Sequence, residues 1–532
     1  MRTLWKRAAL GAAATALLAL SLPAGGSAEE ARNGGVLRMI AHPEPPTLML
    51  GLNQQGPTQF VAGKIYEGLL TYGPDLQPRP HLAESWEISE DGLVYTFHLR
   101  RNVRWHDGQP FTAKDVVFSA TDFLAKVHPR ARGHFGRAEK IEALDDHTVR
   151  MTLKAPFAPF IMGFETSSAP MIPAHVYEGT DYQTNPANQT PIGTGPFKLA
   201  DWKRGAFIRL ERNADYWQAG KPDLDGLNFV IVPDAASRAL AFETGEVDVL
   251  RGGDVEYFDV QRLAASDGVT ETRAGYEMLS PTMWVQFNLR SAPMDDARFR
   301  RAVMHAIDRQ FIVDNLWFGF AKPSAGPIAS TTPFYDEKAL VTYDYDLKKA
   351  EALLDEMGLK KGPDGVRTTV RFLPLPYGET YIRLGEYIRQ QLEQIGIRTQ
   401  TVATDHAGWA KRLGDWDYDL SLNLLYQYGD PSLGVERAYV STNLVKGSPS
   451  ANVSGLNDPE VDRLFREAAV ATDRETRAAL FSDLQHRISD QAYFGYLIEV
   501  QFPTLYRSGI ENLVTGATGL NGEMEDVRLP KR

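Results

Sequence analysis

The chain has no cysteine among its 532 residues. Disulfides, thiolate nucleophiles, iron–sulfur clusters and cysteine-type zinc sites are therefore excluded, and so is the acylated cysteine of a lipoprotein anchor. Long apolar runs are equally scarce. One stands near the N-terminus, where Ala8 to Leu22 follows the basic residues Arg2, Lys6 and Arg7 and precedes the small residues Gly26-Ser27-Ala28. Charged start, short apolar run and small residues are the order of a cleavable secretory signal peptide covering residues 1–28, whereas a membrane span needs a longer run. An N-terminal membrane anchor is the competing reading. Positive charge is in deficit, with 57 Lys and Arg against 68 Asp and Glu and a net charge of −11. Cleavage removes three of those bases and no acid, which moves the balance to −14 and excludes an electrostatic nucleic-acid binder.

Enzyme signatures are missing as well. There is no G-x-S-x-G elbow and no H-E-x-x-H, and Gly193-Thr194-Gly195-Pro196 lacks the Gly-Lys-Ser/Thr that would make it a phosphate loop. The 11 histidines are scattered, with no i,i+4 pair to form a metal-binding helix face. His106 beside Asp107 is the one imaginable acid–base couple. Adjacent strand residues face opposite ways, however, and Asp107-Gly108 reads as a turn. No catalytic residue, metal or cofactor is expected.

What is present is a long chain of ordinary globular composition, 43% hydrophobic and 23% charged, with 25 Phe, 21 Tyr and 9 Trp. Its size calls for several domains. The first part is rich in strands: Tyr95, Phe97 and Leu99 alternate with polar residues behind an Asp91-Gly92 turn, and Val149, Met151 and Leu153 repeat the pattern. Thr112 and Asp115 form a capping box for a helix over Ala113 to Val127. The second part alternates helices with strands at Thr369 to Leu373, Arg398 to Val402 and Asp419 to Leu425. Asp458-Pro459 opens one of those helices as N-cap and N1. This order predicts an α/β fold in layers. An acidic, exported, aromatic-rich chain without catalytic signatures fits a binding protein with a cleft.

Several local motifs occur together. Leu82-Ala83-Glu84-Ser85-Trp86, Val103-Arg104-Trp105-His106-Asp107-Gly108, Phe111-Thr112-Ala113-Lys114-Asp115-Val116-Val117-Phe118-Ser119, Pro191-Ile192-Gly193-Thr194-Gly195-Pro196-Phe197, Asn213 with Tyr216-Trp217, and Val285-Gln286-Phe287-Asn288 span most of residues 35–500. This set resembles the family 5 extracellular solute-binding proteins, the peptide and nickel-chelate binders of bacterial ABC importers. The resemblance implies a two-lobed periplasmic binding protein fold with an inserted strand-rich domain and two hinge crossings. The expected first lobe combines residues 29–74, 196–285 and 500–532. The expected inserted domain covers 75–195 and the second lobe 286–499, with crossings near Val285 to Leu289 and Val500 to Pro503. It also implies a monomer in the periplasm, a small-molecule or peptide ligand, an inner-membrane ABC permease as partner, and no enzymatic activity.

The family's dipeptide binders hold the two ends of the peptide by charge. Set on the Asp430-Pro431 pair, the amine-binding carboxylate position falls at Gln427; an ungapped alignment puts the carboxylate-binding arginine position at Leu375, in the loop Leu373-Pro374-Leu375-Pro376-Tyr377. Both charged clamps are replaced by neutral groups, so a free dipeptide held by its ends is disfavoured. Longer peptides, opines, sugars and metal chelates stay open, with a secreted hydrolase and a chaperone-like binder as readings from other classes. The expected ligand-binding residues are Gln427, Tyr426 and Tyr428 in one loop, Tyr377 and Trp409 in the second lobe, and Trp284 and Asn288 at the first crossing.

Overall fold

The computed structural model describes residues 34–531 apart from residue 129, so the signal-peptide expectation lies outside the described residues. Two large sheets organise the chain. The first has seven strands in the order Val269–Thr272, Thr504–Arg507, Val249–Leu250, Val36–Ile40, Gly226–Val230, Phe207–Arg212 and Phe197–Lys203. The second has six, in the order Ala321–Pro323, Phe494–Val500, Thr282–Phe287, Leu420–Leu425, Thr368–Leu373 and Ile397–Thr401. Between the early strands of the first sheet, the chain builds an antiparallel four-stranded sheet from Ala83–Ile88, Val94–Leu99, Thr148–Leu153 and Ala138–Asp145. Its inward positions Tyr95, Phe97, Leu99, Val149 and Met151 are buried, as their alternation requires. Thr112 and Asp115 do form a capping box, with the Thr112 amide donating to Asp115 Oδ2 at 2.9 Å.

The strand Thr282–Phe287 corrects the expected position of the first crossing. All six of its residues are buried, and it pairs on one side with Leu420–Leu425 and on the other with Phe494–Val500. Met283, Val285 and Phe287 fill the core on one face, while Trp284 fills the core on the other. A strand packed on both faces and bonded along both edges is no hinge. The chain instead passes from the first sheet to the second between Thr272 and Thr282, and returns between Val500 and Thr504. The two crossings lie together: Arg273 Nη1 donates to Gln501 Oε1 at 2.9 Å, and the Val500 amide donates to Pro281 O at 2.9 Å. Among the described residues no helix is long and apolar enough to cross a membrane.

Candidate functional site

In each sheet the parallel strands point their C-terminal ends the same way. For the first sheet these ends are Ile40, Val230 and Leu250; for the second they are Leu373, Thr401 and Leu425. Segments leaving such ends carry free backbone groups and unpacked side chains, which is where ligands sit in α/β sheets. Both crossings also emerge there, because Thr282 pairs with Leu425 and Thr504 with Thr272. The two sheet edges therefore face one another across a cleft.

The first lobe contributes the turn after Val249–Leu250. Asp254 is buried, accepts from the Arg251 amide at 2.7 Å, and has its carboxyl pushed up to about 6 by burial, with Arg251 and Arg238 pulling it back. Arg251 also donates to His42 O at 2.9 Å and lies 4.5 Å over the Phe60 ring. The second lobe contributes Tyr377, Tyr381, Trp409 and Tyr426. A cavity of about 430 Å³ joins the lobes, with Gly253, Val255 and Glu256 on one wall, Tyr377 and Tyr381 on the other, and Phe502 of the return crossing between them. Thr380 Oγ1 donates to Glu256 Oε2 at 3.2 Å across it.

The aromatic residues form a connected wall. Tyr377 is 43% exposed and touches Tyr381, His406 and Trp409 with ring centroids 5.8, 5.2 and 5.9 Å away. Trp409 lies beneath it, buried, with Nε1 donating to Ser421 Oγ at 3.3 Å. Tyr426 and Tyr428 are neighbours at 6.0 Å. Burial holds the Tyr426 and Tyr381 hydroxyls well above the ordinary tyrosine range and pushes Tyr276 up to about 12, so all three stay neutral donors and acceptors.

Three of the expected site residues sit elsewhere. Trp284 is fully buried on the far face of the six-stranded sheet, packed on Phe494 and Tyr496, and its Nε1 donates to Gln286 Oε1 at 2.9 Å. Asn288 lies at the opposite sheet edge, donating to the carbonyls of Tyr418 at 3.0 Å and Trp416 at 3.3 Å. Gln427 is 0% exposed; its Nε2 donates to Pro327 O at 3.0 Å and its amide to Leu279 O at 2.7 Å, so it ties two segments together. Leu375 is a buried core residue, consistent with the missing arginine at that place. Asp430 caps the helix Pro431–Gly434 through the Ser432 amide at 2.9 Å and pairs with buried Arg477 at 2.8 Å.

Sequence reasoning missed Tyr276, Tyr381, Arg251 and Arg130. The last lies in the basic stretch from His128 to Arg137, which was readable as a local excess of positive charge. Arg130 projects from the inserted domain over the Tyr428 ring at 4.3 Å and donates from Nη2 to Gln54 Oε1 at 2.9 Å. His106 and Asp107 form no couple. His106 Nε2 lies 3.0 Å from Gly195 O, the Gly193 amide donates to its Nδ1 at 3.3 Å, and Asp107 turns instead to His175 at 2.7 Å. Among the described residues no group of three or more His, Asp or Glu is placed to hold a metal ion.

Two lobes of separate sheet, joined by paired crossings and facing each other across an aromatic cleft, define a bilobal solute-binding protein. The sequence matches the family described as bacterial extracellular solute-binding proteins, family 5 Middle, over residues 77–444, and the chain belongs to that family. Among its relatives is the glutathione-binding protein GsiB of Pectobacterium atrosepticum, 29% identical over 444 residues that cover 81% of this chain and 82% of the relative. Another is the di/tripeptide-binding protein 1 of Pseudomonas aeruginosa, 29% identical over 77% of this chain and 79% of the relative. Among solved structures, the periplasmic binding protein DppA of Helicobacter pylori in complex with the peptide STSA aligns with a TM-score of 0.78 at 26% identity, covering 94% of this chain and 98% of that one.

Proposed function

We propose that this protein captures a peptide or peptide-like polar solute in the periplasm by closing its two lobes, and delivers it as a monomer to an inner-membrane ABC permease without chemical turnover. The observation that carries this reading is the convergence of two independently built sheet edges on one cleft, connected by the two crossings at 273–281 and 501–503. A ligand touching both edges favours the closed arrangement by its differential affinity, and nothing in that step requires bond making. Peptide and glutathione binding by the relatives supports the substrate class. The neutral Leu375 and Gln427 favour a solute held otherwise than by those two positions, which keeps a non-peptide organic solute, an opine, sugar or metal chelate, as the second reading.

The test is a thermal-shift panel of peptides and small polar solutes, followed by scattering. A true ligand at 100 times Kd raises stability by about 2.7 kcal/mol. It also reduces the radius of gyration. A tight ligand that leaves the radius unchanged refutes closure, and turnover of that ligand refutes the non-enzymatic reading.

A further inference from the structure

A second cavity, of about 290 Å³, lies where the inserted domain meets the second lobe. Its wall includes Arg130, His134 and Arg137 from the first side and Tyr428, Ser432 and Arg437 from the other, and no aspartate or glutamate lines it. Arg130 lies over the Tyr428 ring. Arg437 lies within electrostatic range of both Arg130 and Tyr428, and its Nε is buried without a hydrogen-bond partner among the described residues. The carboxylates on the same loop are not available to it. Asp430 is committed to Arg477 at 2.8 Å, and Glu436 lines the neighbouring groove. Glu436 faces Arg137 across that groove, and among the described residues Arg130 and Arg437 form no ion pair.

The backbone adds a second observation. Tyr428 has φ +50° and Gly429 φ +75°, two consecutive left-handed residues. A bulky residue in that region is strained, and such strain persists where the surroundings enforce it. Here it presents the tyrosine ring to Arg130. A Cβ on Gly429 would meet Met162 Cε of the inserted domain at 2.7 Å and Met278 Sδ of the first crossing at 2.8 Å, so this tip packs closely against both. Arg130 of the inserted domain thus lies over the ring, and Arg437, from the same loop as the ring, lies within electrostatic range of Arg130. Without an anion they repel and remain poorly matched; with one between them, the repulsion becomes a charge-assisted clasp.

The geometry points to a carboxylate subsite: Arg130 and Arg437 receive an acid group of the captured solute, whose charged end lies against the inserted domain instead of at Leu375 or Gln427. This rests on the closure reading above. The probes are succinate, its uncharged diamide succinamide, and inorganic phosphate, titrated calorimetrically into the mature protein at low salt. Succinate is expected to bind, succinamide not, and Arg130→Gln and Arg437→Gln each to weaken succinate at least tenfold, with Arg437→Lys recovering part of the loss. Circular dichroism checks the fold of each variant; if Arg437→Gln does not fold, Arg130→Gln carries the test. Absence of succinate binding, or equal binding by wild type and a folded Gln variant, overturns the subsite. Phosphate binding tighter than succinate overturns the assignment to a carboxylate, because the pocket then serves a free inorganic anion. Scattering separates this from the closure reading: a panel solute that compacts Arg130→Gln as fully as wild type, with unchanged affinity, removes the subsite and leaves closure standing.

Discussion

Two regions of this protein concentrate buried charge, and they treat it in opposite ways. Beneath the first sheet, His81 Nε2 lies 3.0 Å from Glu67 Oε1 and 3.8 Å from Glu523 Oε1. Tyr216 donates to Glu67 at 2.7 Å, Trp217 Nε1 at 3.0 Å, and Thr166 donates to Glu523 at 2.6 Å. Lys64, fully buried beside them, donates to Leu520 O. Both signs of charge are present and the chain satisfies itself; this knot fastens the C-terminal segment to the inserted domain. In the pocket at Arg130 and Arg437 one sign only is present. A buried charge left without its counterpart is costly, so the first arrangement is structural and the second is complete only with a solute.

The largest expected effect breaks this comparison directly. Glu67→Ala leaves His81 buried without its main partner and should cost about 3–5 kcal/mol, as for other broken buried pairs. Arg130→Gln should cost the ligand-free protein only about 1 kcal/mol, because it gives up a hydrogen bond to Gln54 and a place over the Tyr428 ring but breaks no ion pair. Urea midpoints of the two variants decide it: comparable losses would mean that Arg130 is as structural as Glu67.

A smaller effect is read through pH. Burial lowers the His81 pKa, but Glu67, Glu523 and Glu525 together outweigh it and raise the imidazole to about 9. A base whose folded pKa lies above its unfolded value binds its proton more tightly when folded. Its contribution is fully present below about 6.5 and is lost as the pH rises to about 9. Lys64, pushed down to about 7 by burial, works oppositely over pH 7 to 10.5. Glu525, pushed up to about 7 by burial and Glu523, loses its contribution between 4.5 and 7. The His81 share is therefore isolated by subtraction: the stability difference between wild type and His81→Gln should shrink by on the order of 2–3 kcal/mol between pH 6.5 and 9. A difference flat in pH would show that His81 is not charged in the folded protein.

The same contrast explains what was legible in the sequence. The Thr112–Asp115 box, the alternation at Tyr95 to Leu99 and the Asp458-Pro459 helix start are local signals, and all three elements form. The 17-residue helix Arg474–Asp490 left no clean apolar stripe, because its buried face includes Arg477, Gln485 and Ser489, which bond to Asp430, Phe334 O and the Val341 amide of distant segments. Trp284 shows the same limit for the site. An aromatic residue beside a crossing and one in the centre of a sheet read alike until the strand's neighbours are known. Arg130 and Tyr428 are 298 residues apart in number, and only the packing of their segments in the fold makes them partners.

The smallest effect sharpens the comparison at its border, in the loop that holds Tyr428. Gln427 was expected to contact the ligand, yet its side chain is 0% exposed and bonds Pro327 O through Nε2 at 3.0 Å. Its Oε1 is buried with no hydrogen-bond partner among the described residues, which offsets part of what the amide contributes. Gln427→Ala therefore removes one satisfied donor and one unsatisfied acceptor together, and the net cost should fall near the low end for a buried polar group, about 1–2 kcal/mol in the ligand-free protein. The backbone bonds of the loop, from Gln427 to Leu279 O and from Gly429 to Met278 O, do not depend on the side chain, so Tyr428 should keep its place under Arg130. Succinate affinity should accordingly stay within about twofold of wild type, equivalent to less than about 0.5 kcal/mol. A tenfold loss of affinity with an unchanged urea midpoint would instead make Gln427 a ligand contact and move the charged end of the solute back to the second lobe.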